Sequence, residues 1–189
     1  MHIRKYHMQL KSKLFLVPFI LVSSQTIAAS NQYQGYHSTI GVRGSYVQTQ
    51  FEGIKDKVGT YGIEVGMEFD TFEDTSIQFG FDAYFETGKY EPNISIGSVN
   101  FDTFAFMPKV HKFFTDDFDL FIKAGVANWV HEPSTKTKLD GYDPIVGVGT
   151  RYHIQDTVYI GGEYSYLFAD ENNFEFDTSY FTLKVGYRF

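Results

Sequence analysis

The sequence predicts an all-β fold, an eight-stranded antiparallel up-and-down transmembrane β-barrel, on three observations. Apolar and polar residues alternate with a period of two through eight separate stretches, and successive strand residues point to opposite faces. The stretches run about 11 residues, which matches the ~9–11 that a tilted strand needs to cross a bilayer. Twenty Phe, 14 Tyr and 17 Gly accompany a near-neutral mean hydropathy, a composition suited to amphipathic strands rather than to apolar helices. No window sustains a 3.6-residue period.

The first 29 residues stand apart. Arg4, Lys5, Lys11 and Lys13 form a basic head, residues 14–22 (LFLVPFILV) an apolar core, and Ile27-Ala28-Ala29-Ser30 a run that ends in small residues. That order describes a cleaved signal peptide, and the core is far shorter than the ~20 residues of a spanning helix. Cleavage is expected after Ala28 or Ala29. Residues 1–29 are the signal and 30–189 one barrel domain. Removing four basic and no acidic residues leaves 12 basic against 23 acidic, a formal charge of −11. Such a chain offers no positive footprint for nucleic acid. With no cysteine, disulfides and thiolate metal sites are excluded.

Taken in order, strand one (36–48) sets Ile40, Val42 and Tyr46 against Thr39, Arg43 and Ser45. Strand two (58–69) sets Ile63, Val65 and Met67 against Gly62, Glu64, Gly66 and Glu68. Strand three (76–86) sets Phe79, Phe81 and Phe85 against Gly80, Asp82, Tyr84 and Glu86. Strand four (101–111) opposes Phe104, Phe106 and Val110 to Thr103, Met107 and Lys109. In strand five (118–130) Leu120, Ile122 and Val126 oppose Asp119, Lys123 and Ala127. Strand six (142–154) alternates Val146, Val148 and Tyr152 with Gly147, Arg151 and His153. Strand seven (157–168) alternates Ile160, Tyr164 and Phe168 with Gly161, Glu163 and Ser165. The last ten residues, 180–189, alternate Phe181, Leu183, Val185, Tyr187 and Phe189 with Thr182, Lys184, Gly186 and Arg188. Loops are expected at 49–57, 87–100, 131–141 and 169–176, with shorter turns at 70–75, 112–117 and 155–156.

Periodicity alone does not say which face is inside. A soluble lipocalin-like barrel buries its apolar face around a ligand, whereas a membrane barrel turns that face to lipid. The export signal, the small residues on the polar parity and the aromatics near strand ends favour the membrane. Those girdle aromatics are Tyr36, Tyr46, Phe69, Phe85, Trp129, Tyr142, Tyr152, Phe168 and Phe189. In lipid every backbone group needs a partner, so the sheet must close without a free edge. An even strand count then puts both termini on one side, the periplasm, and the longer loops outside.

With its signal peptide, eight amphipathic strands and terminal Tyr187-Arg188-Phe189, the chain resembles the small OmpA-like/OmpX-like outer-membrane barrels. The resemblance implies a bacterial outer-membrane location and an assembly signal in Tyr187 and Phe189. It also implies outer-membrane lipids, lipopolysaccharide and the barrel assembly machinery as partners.

No catalytic pattern accompanies the fold. Glu64, Glu68, Asp82, Glu86, Asp119 and Glu163 share the inward parity with Arg43, Lys109, Lys123, Arg151, Lys184 and Arg188. Paired carboxylates serve acid–base catalysis, but acids matched one for one by bases describe a buried structural network. Arg43, Glu64, Asp82, Lys123, Arg151, Glu163 and Lys184 are expected to form it, with Arg43, Glu64 and Lys184 at one height. His37 and Ser38 point to opposite faces, so no His–Ser pair forms. His111 and His153 share a face, but two histidines without further ligands are a weak metal signal. No cofactor or metal is expected. An eight-stranded barrel is about wide enough for its own side chains, which argues for a plug over a pore. The expected function is a non-enzymatic structural or surface-interaction role, adhesion or envelope integrity, carried by extracellular loops toward a host-surface or other extracellular ligand. Lys55, Lys57, Lys136 and Lys138 are loop candidates for anionic lipopolysaccharide. A lipid A-modifying barrel enzyme is the alternative, with the soluble ligand-binding barrel after it.

Overall fold

The computed structural model describes residues 35–51, 54–70, 76–91, 98–134, 139–154, 157–171 and 174–189, with backbone alone at 50–51, 54–55, 70, 133, 170–171 and 174–177. The expected signal peptide lies outside the described residues. Eight strands follow one another: β1 (Tyr36–Phe51), β2 (Ile54–Asp70), β3 (Ile77–Tyr90), β4 (Val99–Thr115), β5 (Phe118–Pro133), β6 (Leu139–Ile154), β7 (Val158–Glu171) and β8 (Phe174–Arg188). Each pairs antiparallel with its neighbours in sequence, and β1 pairs with β8 to close the barrel. The end that carries both termini is called proximal here, and the end that carries the β1–β2, β3–β4, β5–β6 and β7–β8 connections distal.

On all eight strands the polar parity points inward. On β1, for example, Thr39, Arg43 and Ser45 are buried while Ile40, Val42 and Tyr46 are exposed. A soluble barrel with an apolar interior is thereby excluded for this part of the wall. The expected girdle residues Tyr36, Tyr46, Phe69, Phe85, Tyr142, Tyr152, Phe168 and Phe189 all face outward. Trp129 does not. It is 1% exposed, on the inward parity of β5, and its Nε1 donates to Asp143 Oδ2 at 2.6 Å.

The strands are longer than the sequence pattern suggests. Only residues 52–53, 91–98, 134–138 and 172–173 separate them at the distal end, and 71–76, 116–117 and 155–157 at the proximal end. Most of the expected distal loops are therefore strand. So are residues 112–115, which extend β4 into the turn expected at 112–117. The cause at the distal end is a reversal of polarity, on the outward face along β1 to β4, while Tyr142 and Phe168 keep aromatic rings outward on β6 and β7. Beyond Tyr46, Tyr61, Phe85 and Phe104 the outward positions become Gln48, Lys57, Lys89, Asp102 and Asn100. Inward positions reverse at the same level, to Val47, Val58, Phe101, Ile145, Leu167 and Tyr180, all nearly inaccessible and packed in one apolar cluster with Trp129. Alternation continues with its sign inverted, and a search for apolar-outward residues reads that as loop.

The closed wall also opens distally, at two seams. Pairing between β2 and β3 ends at Thr60↔Gly88, and pairing between β6 and β7 ends at Ile145↔Leu167. Among the described residues, β2 continues beyond those points in a ladder with β1 alone, and β3 with β4 alone. Likewise β6 follows β5 and β7 follows β8. The distal end is thus two four-stranded halves, β7–β8–β1–β2 and β3–β4–β5–β6. Pro144, the first β6 residue past the last β6–β7 pair, has no N–H to donate. The barrel closes as the sequence predicts, and toward the distal end its β2–β3 and β6–β7 ladders reach Thr60 and Ile145.

Candidate functional site

The proximal and middle lumen gathers every inward charge the sequence singles out. Centrally, Arg43 Nη1 donates to Glu64 Oε2 and Arg43 Nε to Glu86 Oε1, each at 2.9 Å. Its guanidinium stacks on Tyr84, 3.6 Å from the ring centre, where cation and π-face attract one another. Lys184 Nζ reaches Glu64 at 3.0 Å and Glu163 at 3.2 Å, and Lys123 Nζ lies 2.8 Å from Glu163 and 3.5 Å from Asp82. Ser45 and Thr182 complete the shell, 2.7 Å apart, with Ser45 Oγ donating to Glu86.

Asp82 links this group to a proximal one. Lys109 Nζ bridges Asp82 and Glu68, at 2.8 Å each. Arg151 pairs with Glu68, and its Nη2 lies 3.0 Å from Asp119 Oδ2. Asp119 accepts from His153 Nε2 at 2.7 Å, while His111 Nδ1 accepts from Arg151 Nη2 at 2.9 Å. Arg188 Nε approaches Glu68 at 3.5 Å.

The expected group of seven therefore comes together through shared partners. Arg43, Glu64, Asp82, Lys123, Glu163 and Lys184 are in the central cluster, and Arg151 joins through Glu68, Lys109 and Asp82. The heights differ from the expectation. Arg43 is paired across the ladder with Gly62, and Glu64 with Gly41. Asp82 likewise faces Gly66. The charges meet diagonally, two residues out of level, because the barrel staggers its strands and long side chains span the offset. Lys184 does lie opposite Arg43. The two cations tolerate that position because each donates to Glu64.

Three inward aromatics were missed by sequence reading, or misplaced. Tyr159 is paired with Gly186, Phe121 with Gly149 and Trp129 with Gly141. In each case the ring lies over the glycine. A Cβ on Gly186 would fall 2.3 Å from the Tyr159 ring, one on Gly149 2.4 Å from Phe121, and one on Gly141 2.9 Å from Trp129. Aromatic cover of a facing glycine fills the lumen where the pleat leaves room. The signal was present as an inward aromatic and an inward glycine, but only the register couples them.

Such a lumen is a poor conduit and a poor active site. Arg151 on β6 and Glu68 on β2 are four strands apart in a ring of eight, so their ion pair joins opposite walls. Among the described residues, each carboxylate of the central and proximal clusters has a cationic neighbour. His37 Nδ1 lies 3.3 Å from the Phe189 carbonyl oxygen, at the wall rather than the lumen. The Phe113 ring stands 5.4 Å from His111 and 5.6 Å from His153. Among the described residues no group of three potential metal ligands converges. Lys57 is exposed, 5.6 Å from the centre of the Tyr46 ring; the side chains of Lys55, Lys136 and Lys138 lie outside the described residues.

An apolar belt without, paired charges within and aromatic residues toward both margins define a transmembrane β-barrel with a filled interior. The chain belongs to the outer membrane protein beta-barrel domain family, whose model matches residues 14–189. Its place is the bacterial outer membrane. In fold it is similar to Ail, the attachment invasion locus protein of Yersinia pestis, at 14% identity and TM-score 0.55, over 82% of this chain and 99% of that one. Neisserial surface protein A is similar at 12% identity and TM-score 0.56, over 82% and 97%. The outer membrane protein OprG from Pseudomonas aeruginosa is similar at 11% identity and TM-score 0.51, over 82% and 96%. No curated protein matches the chain. At these identities the likeness is one of fold.

Proposed function

We propose that the chain is a non-enzymatic surface protein, a barrel of residues 30–189 left after removal of a signal peptide, whose distal end faces the cell exterior and carries its interactions. The observation that supports this reading is the distal reversal of polarity. A wall with polar residues outside and an apolar core inside is built for water on its outer side. The seams agree, because unpaired strand edges are not tolerated in lipid. The lumen beneath is a structural network, since breaking a bridge that joins opposite walls leaves a buried charge without its partner.

The distal surface also restricts the partner. Its described outward charges are Glu91, Asp102, Glu132 and Asp140 against Lys57 and Lys89, while Asp56 and Asp143 have inward parity. The Ail structure was solved with sucrose octasulfate, a heparin analogue. An acid-rich rim repels such polysulfates, so a basic or neutral extracellular ligand fits this chain better. Lipopolysaccharide contact falls to exposed cations near the aromatic belt, such as Lys57.

Replacing residues 91–98 and 134–138 with short Gly-Ser connections tests the surface role by attachment of cells to host cells or matrix. Loss of attachment with an unchanged heat-dependent gel shift is expected; attachment unaffected by either replacement contradicts the role. Comparing lipid A acyl chains with and without the protein tests the enzymatic alternative, and an identical pattern is expected. Tyr187 and Phe189 serve assembly in this reading. The Phe189 N–H donates to Ser38 O at 2.9 Å, and its ring packs 4.9 Å from Tyr187. Deleting Phe189 should lower membrane insertion more than Leu183→Ala, and equal yields remove its special role.

A further inference from the structure

The two seams lie four strands apart in a ring of eight, on opposite sides of the barrel. At each, strand backbone continues with no ladder partner across the seam among the described residues. At the first, residues 54–59 of β2 are paired only with β1. At the second, residues 168–171 of β7 are paired only with β8. Unpaired edges are templates for strand addition, and a protein in contact with water covers them, blunts them or uses them.

We propose that the β2/β3 seam of one copy joins the β6/β7 seam of a second copy, linking barrels into rows. Strand direction permits this. Odd-numbered strands run from the proximal to the distal end and even-numbered strands run back. Two copies standing in one membrane with the same orientation therefore bring β2 of one antiparallel to β7 of the next. On the other side of the same contact, β3 meets β6, again antiparallel. Charge favours the pairing as well. On the outward face of the first seam Lys57 and Lys89 are exposed, while Asp56 has the inward parity of β2 and Glu91 follows the end of β3. The β7 tip is the acidic sequence Phe168-Ala169-Asp170-Glu171, and Asp140 stands on β6 across from it. The contact is heterologous, because different surfaces meet, so it does not close on itself in a pair but propagates.

The proposal rests on the reading that the distal end stands outside the lipid. The chain has no cysteine, so introduced thiols report without background. Lys57→Cys and Phe168→Cys place one thiol beside each seam, both at outward, exposed positions. In cells oxidised gently, the full-length double variant should form a ladder of dimers, trimers and larger species. Either single variant alone should stay monomeric, and the two singles expressed together should stop at dimers. Val42→Cys with Ile122→Cys, on the apolar belt, controls for random collision. A folded double variant that stays monomeric overturns the proposal, and so does a single variant that dimerises as well as the double. A monomeric double variant that captures a synthetic acidic strand peptide also overturns it, and assigns the edge to a foreign polypeptide. An impermeant thiol reagent separates the two readings: labelled but uncross-linked cysteines sink only the row, whereas unlabelled cysteines sink the exterior placement too.

Discussion

Arg43 and Val47 lie four residues apart on the same inward face of β1, one inside an ion-pair network and the other in an apolar cluster without charge. The backbone does not distinguish them; what lies outside the wall does. Around Arg43 the outward neighbours are Val42 and Gly44, facing lipid. An apolar residue there gains nothing from burial, because acyl chains are as apolar as a protein core. Stability in that zone must come from hydrogen bonds and ion pairs across the lumen. Around Val47 the outward neighbours are Tyr46 and Gln48, at the margin of the belt. Beyond that margin water returns, and hiding apolar side chains inside stabilises the fold again. The same strand therefore runs from an inside-out protein into an ordinary one.

The largest effects should come from the charged half. Arg43→Ala removes the partner of two carboxylates and is expected to cost about 3–5 kcal/mol, the usual loss on breaking a buried charge network. Urea unfolding in lipid vesicles measures it. A double-mutant cycle with Glu64→Gln should be strongly non-additive, and additive losses would separate the two side chains. In the apolar half, Ile145→Ala should cost about 2–5 kcal/mol by leaving a cavity. Its neighbour Val146, which faces outward in the belt, should lose far less on truncation to Ala, since lipid fills the space; equal losses at 145 and 146 would erase the distinction between the two sides of the wall. Gly186→Ala pushes a methyl against the Tyr159 ring and should cost about 1–3 kcal/mol by overpacking. Relief of that cost in a Tyr159→Leu background would confirm the ring as its source. Lys57→Ala, at an exposed distal position, should leave the unfolding midpoint unchanged, and any clear shift would show that the distal end is not simply solvated.

Strand number, inward face and the roster of lumen charges were legible in the sequence because each depends on parity within a strand. Glu64, Asp82 and Lys184 could be placed inside without knowing their neighbours. Register was not legible. It places Glu64 opposite Gly41 rather than Arg43, an offset set by barrel stagger, which no single strand records. The same ignorance hid the cover of Gly186 by Tyr159 and of Gly141 by Trp129, since each pair joins two strands. Trp129 was misread for a further reason: an aromatic near a strand end suits a girdle, and only the reversed distal polarity makes its inward position reasonable. The seam at Pro144 had one local trace, a missing N–H, but its meaning depends on where β6 leaves β7.

The account turns on where the lipid ends, and thiol accessibility reads that level directly. Single cysteines at Ile122, Phe106 and Val148 sit on the apolar belt, and single cysteines at Lys89, Asn100 and Glu132 on the polar distal wall. Whole cells are treated with a membrane-impermeant thiol reagent, with a heat-dependent gel shift to confirm that each variant is folded. The three distal positions should label and the three belt positions should stay protected, with the change falling at the ring of Tyr46, Tyr61, Phe85 and Phe104. Labelling that runs evenly across that ring, or distal cysteines that stay protected on folded barrels, would contradict it.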